Sequence, residues 1–182
     1  MAAVGRAVPR KDGLAKVTGA ARYVDDLAFP GMLYGRTIRS SVPCGEVARI
    51  RLGFDAAGFT VVDYRDIPGR NVVALIEDDQ PCLVEREVRH AEEPVLLLAH
   101  EDRERLLDAR VEVDYRPRAP ILDPERSPHT FKTIRIEKGD VERGLAGADL
   151  VVEGEYRTGH QEHVYIEPQG VIAVPENGGV TV

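Results

Sequence analysis

The residues of greatest chemical interest lie in one short stretch, TGHQEHVYIEPQG, at residues 158–170. Its histidines and glutamates carry imidazole and carboxylate groups, which bind metals and transfer protons. His160 and His163, with Glu167 after them, offer nitrogen and oxygen ligands of the kind that zinc takes in proteins. The stretch is therefore a candidate metal or acid–base site.

The same stretch has the alternation of a β-strand over residues 161–173, and that prediction competes with the metal site. On a strand, side chains three residues apart point to opposite faces. His160 and His163 would then diverge, whereas His163 and Glu167 would share a side of the strand. The alternative interpretation is a buried polar cluster whose side chains hydrogen-bond to one another and to nearby backbone.

Other groups that could do chemistry give weaker signals. Cys44 lies on a turn with no histidine close in sequence, and Cys82 also follows a proline, so both thiols are interpreted as inert. The glycines of residues 144–150 come at the end of a predicted helix, which is the wrong order for a phosphate-binding loop. Spacing alone therefore predicts no complete catalytic constellation.

The composition is that of a soluble globular chain, with 182 residues of which 43% are hydrophobic and 30% charged. A net charge of -7 argues against binding to nucleic acid. No apolar run reaches the roughly 18 residues of a membrane span, and the first residues lack an apolar signal-peptide core. We therefore expect a cytoplasmic protein with reduced cysteines, and two cysteines are too few for an iron–sulfur cluster bound by four thiolates.

A series of strands and one helix must position any site in the first part of the chain. PVLLLAH, residues 94–100, is apolar through its middle, which predicts a strand covered on both faces. A charged helix at residues 101–109 and a strictly alternating strand at residues 111–117 follow it. The other strands predicted here are residues 33–40, 47–52, 60–64 and 72–76.

A proline-rich segment, residues 116–128, separates off the second part of the chain. Asp140 is placed to cap a short helix at residues 141–148. Alternation predicts strands at residues 131–140, 149–159 and 164–182, with Gly178-Gly179 as a hairpin signal. The residues alone therefore indicate an α+β fold whose last strands lack partners, and such strands predict an exposed apolar surface that promotes self-association into a homo-oligomer.

A longer pattern resembles a known family. The opening VGRAVPRKDGLAKVTGAARYVDDLAFPGMLYGRTIRS is similar to the start of the molybdenum-binding large subunit of the xanthine dehydrogenase, aldehyde oxidase and carbon monoxide dehydrogenase family. The likeness continues in order along nearly the whole chain. Its later blocks are Asp66-Ile67-Pro68-Gly69, Glu93-Pro94-Val95, Val111-Glu112-Val113-Asp114-Tyr115, Lys138-Gly139-Asp140-Val141, Gln161-Glu162-His163, Tyr165 and Glu167-Pro168.

The resemblance implies a fold, an α/β-hammerhead domain with a mixed sheet followed by the first strands of a molybdopterin-binding domain. We accordingly expect residues 1–128 to form an N-terminal arm and the hammerhead domain. Residues 129–182 are expected to form a linker and the truncated start of the molybdopterin-binding domain. Two departures stand out: Cys44 occupies a region where the family usually has a proline–histidine pair, and Glu92 stands where a glycine is common.

The resemblance also implies an oxidoreductase. Such enzymes hydroxylate a carbon beside a ring nitrogen, or oxidise an aldehyde, with oxygen from water at a molybdenum held by a pterin. Electrons leave through iron–sulfur clusters, often to FAD, and we expect these groups on partner subunits or domains. The expected substrate is a purine, another N-heterocycle or an aldehyde.

The family's molybdenum-contacting glutamine, pterin loops and catalytic glutamate lie beyond the residues present. We therefore expect no catalytic, cofactor-binding or metal-binding residue in this chain, and no activity from it alone. The resemblance makes residues 158–170 the entry to the cofactor domain, in which a set of side chains braces the fold: Gln161, Glu162, His163, Tyr165 and Glu167. Two alternatives stay open, a module that scaffolds other subunits and a zinc site at His160, His163 and Glu167.

Overall fold

The computed structural model describes residues 4–73, 77–167 and 169–182. These divide into two compact units, Phe29–Phe131 and a unit that joins Met1–Ala28 with Lys132–Val182. Short 3-10 helices lie at Val24–Asp26, Tyr64–Asp66 and Pro124–Arg126. The other elements are α1 (Gly13–Val17), β1 (Tyr34–Arg39), β2 (Gly45–Leu52), β3 (Thr60–Val62), β4 (Glu87–Val88), β5 (Pro94–His100), α2 (Arg103–Asp108), β6 (Val111–Pro117), α3 (Val141–Ala146), β7 (Val174–Glu176) and β8 (Gly179–Thr181).

Strands β1, β5 and β3 form an antiparallel sheet with β5 in the middle. A middle strand that is covered on both faces needs apolar residues on both, and β5 supplies them. Val95 and Leu96 are neighbours in sequence and so point to opposite faces, and both are buried. The predicted strand at residues 94–100 is confirmed, together with its burial on both faces.

Strands β4, β2 and β6 form a second antiparallel sheet with β2 in the middle. The pairing of β2 with β6 shifts register between Val47 and Arg49. An extra residue in a strand shifts the alternation by one position. Val47 and Ile50 therefore pack against the same apolar cluster although they are three positions apart.

The connection from β5 through α2 to β6 crosses from the first sheet to the second. For β5 and β6 to pair in parallel, the connection through α2 would have to bring the chain back to the sheet that contains β5. The strand pairs in the described part of the chain are all antiparallel, so the mixed sheet expected for the hammerhead domain is not observed. The α+β architecture itself is confirmed.

Two apolar clusters hold the Phe29–Phe131 unit together, and β5 contributes to both. One is built on Leu96, Leu98, Leu106 and Ala109, and the other on Val84, Val88 and Val95. Burying one leucine or valine side chain stabilises the folded state by about 1.5–3 kcal/mol relative to leaving it exposed. The stability of this unit therefore depends strongly on β5.

Helix α2 is held at both ends by side chains. The carboxylate of Asp102 accepts hydrogen bonds from two backbone N–H groups of the first turn, at 2.9 and 3.1 Å. At the other end, Nη1 of Arg36 on β1 donates to the carbonyl oxygens of Leu106, Leu107 and Ala109, at 3.1, 2.9 and 2.9 Å. The predicted helix is confirmed, although it is shorter than residues 101–109 because Asp102 is its cap and has an extended backbone.

The other predicted strands of this unit have mixed outcomes. Those at residues 33–40, 47–52 and 60–64 form as β1, β2 and β3, and β3 is short because a 3-10 helix begins at Tyr64. Residues 74–76, the greater part of the strand predicted at residues 72–76, lie outside the described residues. Val73 makes an isolated antiparallel bridge with Gln80.

The Lys132–Val182 part of the other unit contains little regular structure. The carboxylate of Asp140 accepts a hydrogen bond from the backbone N–H of Arg143 at 2.9 Å, so the predicted capped helix is confirmed as α3. The predicted hairpin forms from β7 and β8. Its turn is Asn177-Gly178, one residue before the predicted Gly178-Gly179, because Gly179 pairs with Glu176 as the first residue of β8.

The strands predicted at residues 131–140, 149–159 and 161–173 are wrong, because none of their described residues lies in a strand. An alternating sequence is not sufficient to form a strand, because the backbone N–H and C=O groups must also hydrogen-bond to a neighbouring strand. The described residues supply no such neighbour. The predicted exposed apolar surface is present but lies on irregular chain, with Ile136 89%, Val152 80% and Tyr156 89% exposed.

No helix in the described ranges combines the length and the apolar character that a membrane crossing requires.

The 3-10 helix at residues 64–66 gives a prediction about pH. The side chain of Arg65 and then its backbone N–H hydrogen-bond to the Asp63 carboxylate, and they hold the pKa of Asp63 below its ordinary value of 3.8. A carboxylate with a lowered pKa in the folded state stabilises the fold above its unfolded pKa. That contribution is lost as the pH falls below about 3.8 and through the lower folded value.

We expect Asp63→Asn, which keeps a side-chain oxygen for the cap, to lower the free energy of unfolding at neutral pH by about 0.5 kcal/mol. The difference from the parent chain should shrink as the pH falls below 3.8. Urea unfolding across a pH series measures it. Asp108→Asn, which also removes one carboxylate but at an exposed position on α2, is the control for the loss of a negative charge.

Candidate functional site

The stretch that contains the candidate ligands is irregular chain on the surface of its unit. Every described residue from 158 to 170 is exposed. The backbone N–H of His163 donates to the Glu162 carboxylate at 2.8 Å, and the His163 ring meets the Tyr165 ring edge-on with centroids 5.9 Å apart. These contacts are local, between residues one or two positions apart.

The predicted zinc ligands are not brought together. Among the described residues, no group of three or more His, Cys, Asp or Glu side chains is placed to hold a metal ion. The strand on which His163 and Glu167 would share a side does not form. The alternative of a buried polar cluster is wrong for this stretch as well, because its described side chains are exposed.

The bracing role of Gln161, Glu162, His163, Tyr165 and Glu167 stays a prediction. What the structure adds is a shallow hollow of about 540 Å³ beside the last of them. A Cβ added to Gly170 would lie 3.1 Å from Cγ1 of Val24, which is a tight contact that the Val24 side chain would have to relieve by a few tenths of an ångström. The hollow is lined by Val24, Tyr165, Ile166, Glu167, Gln169 and Gly170. Sequence analysis does not single out Val24, because no periodicity links it to residues so distant along the chain.

A buried polar cluster does exist, at the end of β1 and the start of β5. Ser40 is fully buried and Glu93 is 1% exposed. The backbone N–H of Ser40 donates to the Glu93 carbonyl at 2.8 Å, and that of Glu92 donates to the Ser40 carbonyl at 3.0 Å. The Glu93 carboxylate accepts a hydrogen bond from the backbone N–H of Arg89 at 2.6 Å. These bonds fix the loop that enters β5, which is a structural role.

Glu92 has a left-handed backbone with φ of 64°, and this gives a physical reason why a glycine suits that position. A residue with a Cβ costs about 1–2 kcal/mol more than glycine in that conformation. We expect Glu92→Gly to raise the free energy of unfolding by about 0.5–1 kcal/mol, after the added freedom of the unfolded chain is subtracted.

Urea unfolding measures the effect of Glu92→Gly. Glu92→Ala is the matched control, because it removes the carboxylate but keeps the Cβ, and it should not raise stability. Equal gains from the two substitutions would show that the side-chain charge, and not the backbone conformation, is unfavourable at this position.

Neither cysteine forms a disulfide in the described part of the chain. Cys44 and Cys82 are both free thiols and both are partly buried. The Cys44 carbonyl accepts a hydrogen bond from the backbone N–H of Arg118 at 3.0 Å, beside the pairing of β2 with β6. The departure at Cys44 therefore lies at a sheet end.

Two antiparallel sheets packed through β5 and joined by the capped helix α2 define the class of this protein, an α/β-hammerhead domain protein with a further segment after the hammerhead. Residues 18–119 match the family described as aldehyde oxidase and xanthine dehydrogenase, a/b hammerhead domain. Residues 122–182 match the molybdopterin cofactor-binding domain family. The chain belongs to the aldehyde oxidase and xanthine dehydrogenase family.

Curated relatives carry the same assignment. The chain is 35% identical over 187 residues to one subunit of a probable xanthine dehydrogenase of Bacillus subtilis, a match that covers 93% of this chain and 25% of that protein. It is 30% identical over 197 residues to the nicotinate dehydrogenase large molybdopterin subunit of Eubacterium barkeri, covering 97% of this chain and 45% of that one. The chain thus spans a quarter to less than half of these relatives.

A solved structure shows the same fold. The match to a Cu,Mo-CO dehydrogenase in its carbon monoxide reduced state has a TM-score of 0.61 and 30% sequence identity. It covers 67% of this chain and 16% of that one.

The described residues do not by themselves fit a pterin cofactor. A large polar cofactor needs a concave site with inward-facing hydrogen-bonding groups. Among the described residues from 122 to 182 none is fully buried, and only Ile172 and Val174 are even partly so. The hollow beside Gly170 is open and has no buried polar group in its lining. No chemical step is therefore assigned to these residues.

Proposed function

We propose that the chain is the N-terminal part of the molybdenum-binding large subunit of a molybdenum hydroxylase. The whole enzyme then hydroxylates a purine or another N-heterocycle, or oxidises an aldehyde, with oxygen from water. Iron–sulfur clusters and FAD on partner subunits or domains carry the electrons away, and the complex works in the cytoplasm.

In this proposal, residues 1–128 are the arm and hammerhead domain, and residues 129–182 are the linker and the start of the molybdopterin-binding domain. The single observation that carries it is that residues 122–182 match a domain family although none of their described side chains is buried in a hydrophobic core. Residues 122–182 match a cofactor-binding domain, yet large apolar side chains there are exposed, among them Ile134 at 72% and Ile166 at 102%. Apolar surface of this extent marks a site where further polypeptide packs.

The proposed partner of that surface is the remainder of the large subunit. The chain supplies a hammerhead unit with its own buried clusters and a segment that needs further strands. On this proposal the side chains that hold and use the cofactor belong to those further strands, so the 182 residues alone have no activity.

The test compares the purified chain with the longer polypeptide encoded by the reading frame that contains it. We expect substoichiometric molybdenum and no oxidation of purines, N-heterocycles or aldehydes from the chain alone, and bound molybdenum in the longer protein. Hydrogen exchange at residues 150–167 should be fast in the former and slow in the latter.

Stoichiometric molybdopterin on the chain alone, or turnover by it, would contradict the proposal. A reading frame that contains no further cofactor domain would instead favour a module that scaffolds other subunits.

A further inference from the structure

The β7–β8 hairpin presents an Asn-Gly pair as its turn. Glu176 pairs with Gly179, so Asn177 and Gly178 form the two-residue loop, and both are exposed. Gly178 has φ of 86°, and a Cβ added to it would meet no atom within 4 Å. The atoms around this peptide bond are therefore open to solvent.

The hydrogen-bonding state of these two residues leaves them free to react with each other. In the described part of the chain, neither the Asn177 side-chain amide nor the Gly178 backbone N–H makes a hydrogen bond to another protein group. Glycine after asparagine places no side chain in the way of an attack by its nitrogen on the amide carbon. This turn thus has both features that favour the reaction, an exposed amide and a glycine after the asparagine.

We propose that Asn177 is a site of spontaneous covalent modification, through a succinimide, to aspartate and isoaspartate. The Gly178 backbone nitrogen loses its proton to water and attacks Cγ of Asn177. A bond forms between that nitrogen and Cγ, the bond from Cγ to the amide nitrogen breaks, and ammonia leaves with the proton. Water then opens the ring at either carbonyl, which gives aspartate or isoaspartate with no change of oxidation state.

The chain contains its own control. Its two asparagines are Asn71 and Asn177. Asn71 is partly buried, its Nδ2 donates to the Leu83 carbonyl at 2.7 Å, and its Oδ1 accepts from the Leu83 backbone N–H at 3.1 Å. It is followed by the β-branched Val72, which crowds the attacking nitrogen. The same chemistry should therefore be blocked at Asn71.

Modification would change the hairpin. An aspartate adds a negative charge beside Glu176, whose carboxylate accepts a hydrogen bond from the Thr181 hydroxyl at 2.6 Å. An isoaspartate adds a backbone atom to a two-residue turn, which disturbs the register of Val174 opposite Thr181. The site lies within the segment that matches the molybdopterin cofactor-binding domain.

The experiment incubates the folded chain at mildly alkaline pH and measures each asparagine by peptide mass spectrometry, with isoaspartyl methyltransferase labelling as a second readout. Because only Asn177 precedes a glycine, we expect about ten-fold or more conversion there relative to Asn71. Asn177→Gln should remove the label from the peptide that contains residue 177, whereas label at Asp12-Gly13, an Asp-Gly pair, is independent of that substitution. A synthetic peptide with the sequence AVPENGGVTV, incubated in parallel, gives the rate for an unstructured chain.

Conversion at Asn177 at a rate close to that of the peptide supports the proposal. An Asn177 that stays intact after the peptide has converted would overturn it, because the hairpin would then protect the turn. Equal conversion at Asn71 would also overturn it, since the modification would then not be selective for the turn.

Discussion

Leu98→Ala is expected to lower the free energy of unfolding of the Phe29–Phe131 unit by about 3–4 kcal/mol. Leu98 is 0% exposed, lies in the middle strand of the first sheet, and belongs to the cluster with Leu106 of α2. Removing its side chain loses both the transfer free energy and the contacts of the atoms that line the new cavity. Since small domains are stable by only about 5–15 kcal/mol in total, this is a large fraction.

Leu107→Ala is the matched control for that substitution. Leu107 is the next residue after Leu106 on α2 and is 53% exposed, so its truncation should cost less than about 1 kcal/mol. The chain has no tryptophan, so circular dichroism during urea unfolding is the appropriate measurement. Equal costs for the two substitutions would mean that the side of β5 that carries Leu98 does not pack on α2.

The sequence predicts those parts of the fold that depend on residues close together in the chain, and it misses those that depend on distant residues. The apolar run of β5 and the aspartate that caps α3, Asp140, act over a few residues, and both are predicted correctly. The three carbonyl bonds from Arg36 to the end of α2 join residues at least 70 positions apart, and no sequence pattern indicates them. The strand β4 is two residues long, too short for any periodicity.

The candidate site shows the same limit. The alternation at residues 161–173 is a sound local signal, but it has no strand to pair with among the described residues. The buried polar cluster is predicted at the histidines and occurs instead at Ser40 and Glu93. Those two residues meet only when β1 and β5 pair. The family resemblance, which depends on the whole chain, identifies the fold that spacing alone does not.

Gly45→Ala is expected to destabilise the second sheet by about 2–3 kcal/mol, although alanine usually suits a strand better than glycine does. A Cβ at this position would lie 2.6 Å from the carbonyl oxygen of Arg116 and 3.0 Å from Cα of Pro117. Both are backbone atoms of β6, so neither can rotate away. The clash must instead separate β2 from β6 at one end of their pairing.

Gly35→Ala is the matched control, at a glycine in β1 of the other sheet. Its added Cβ would lie 3.8 Å from Cδ1 of Leu97, an ordinary contact with a flexible side chain. We expect that substitution to change the free energy of unfolding by less than about 1 kcal/mol and in either direction. Urea unfolding of both variants makes the comparison. If Gly45→Ala were as stable as Gly35→Ala, β2 and β6 could not approach each other as closely at Gly45 as this structure requires, and the register of the second sheet would have to be revised.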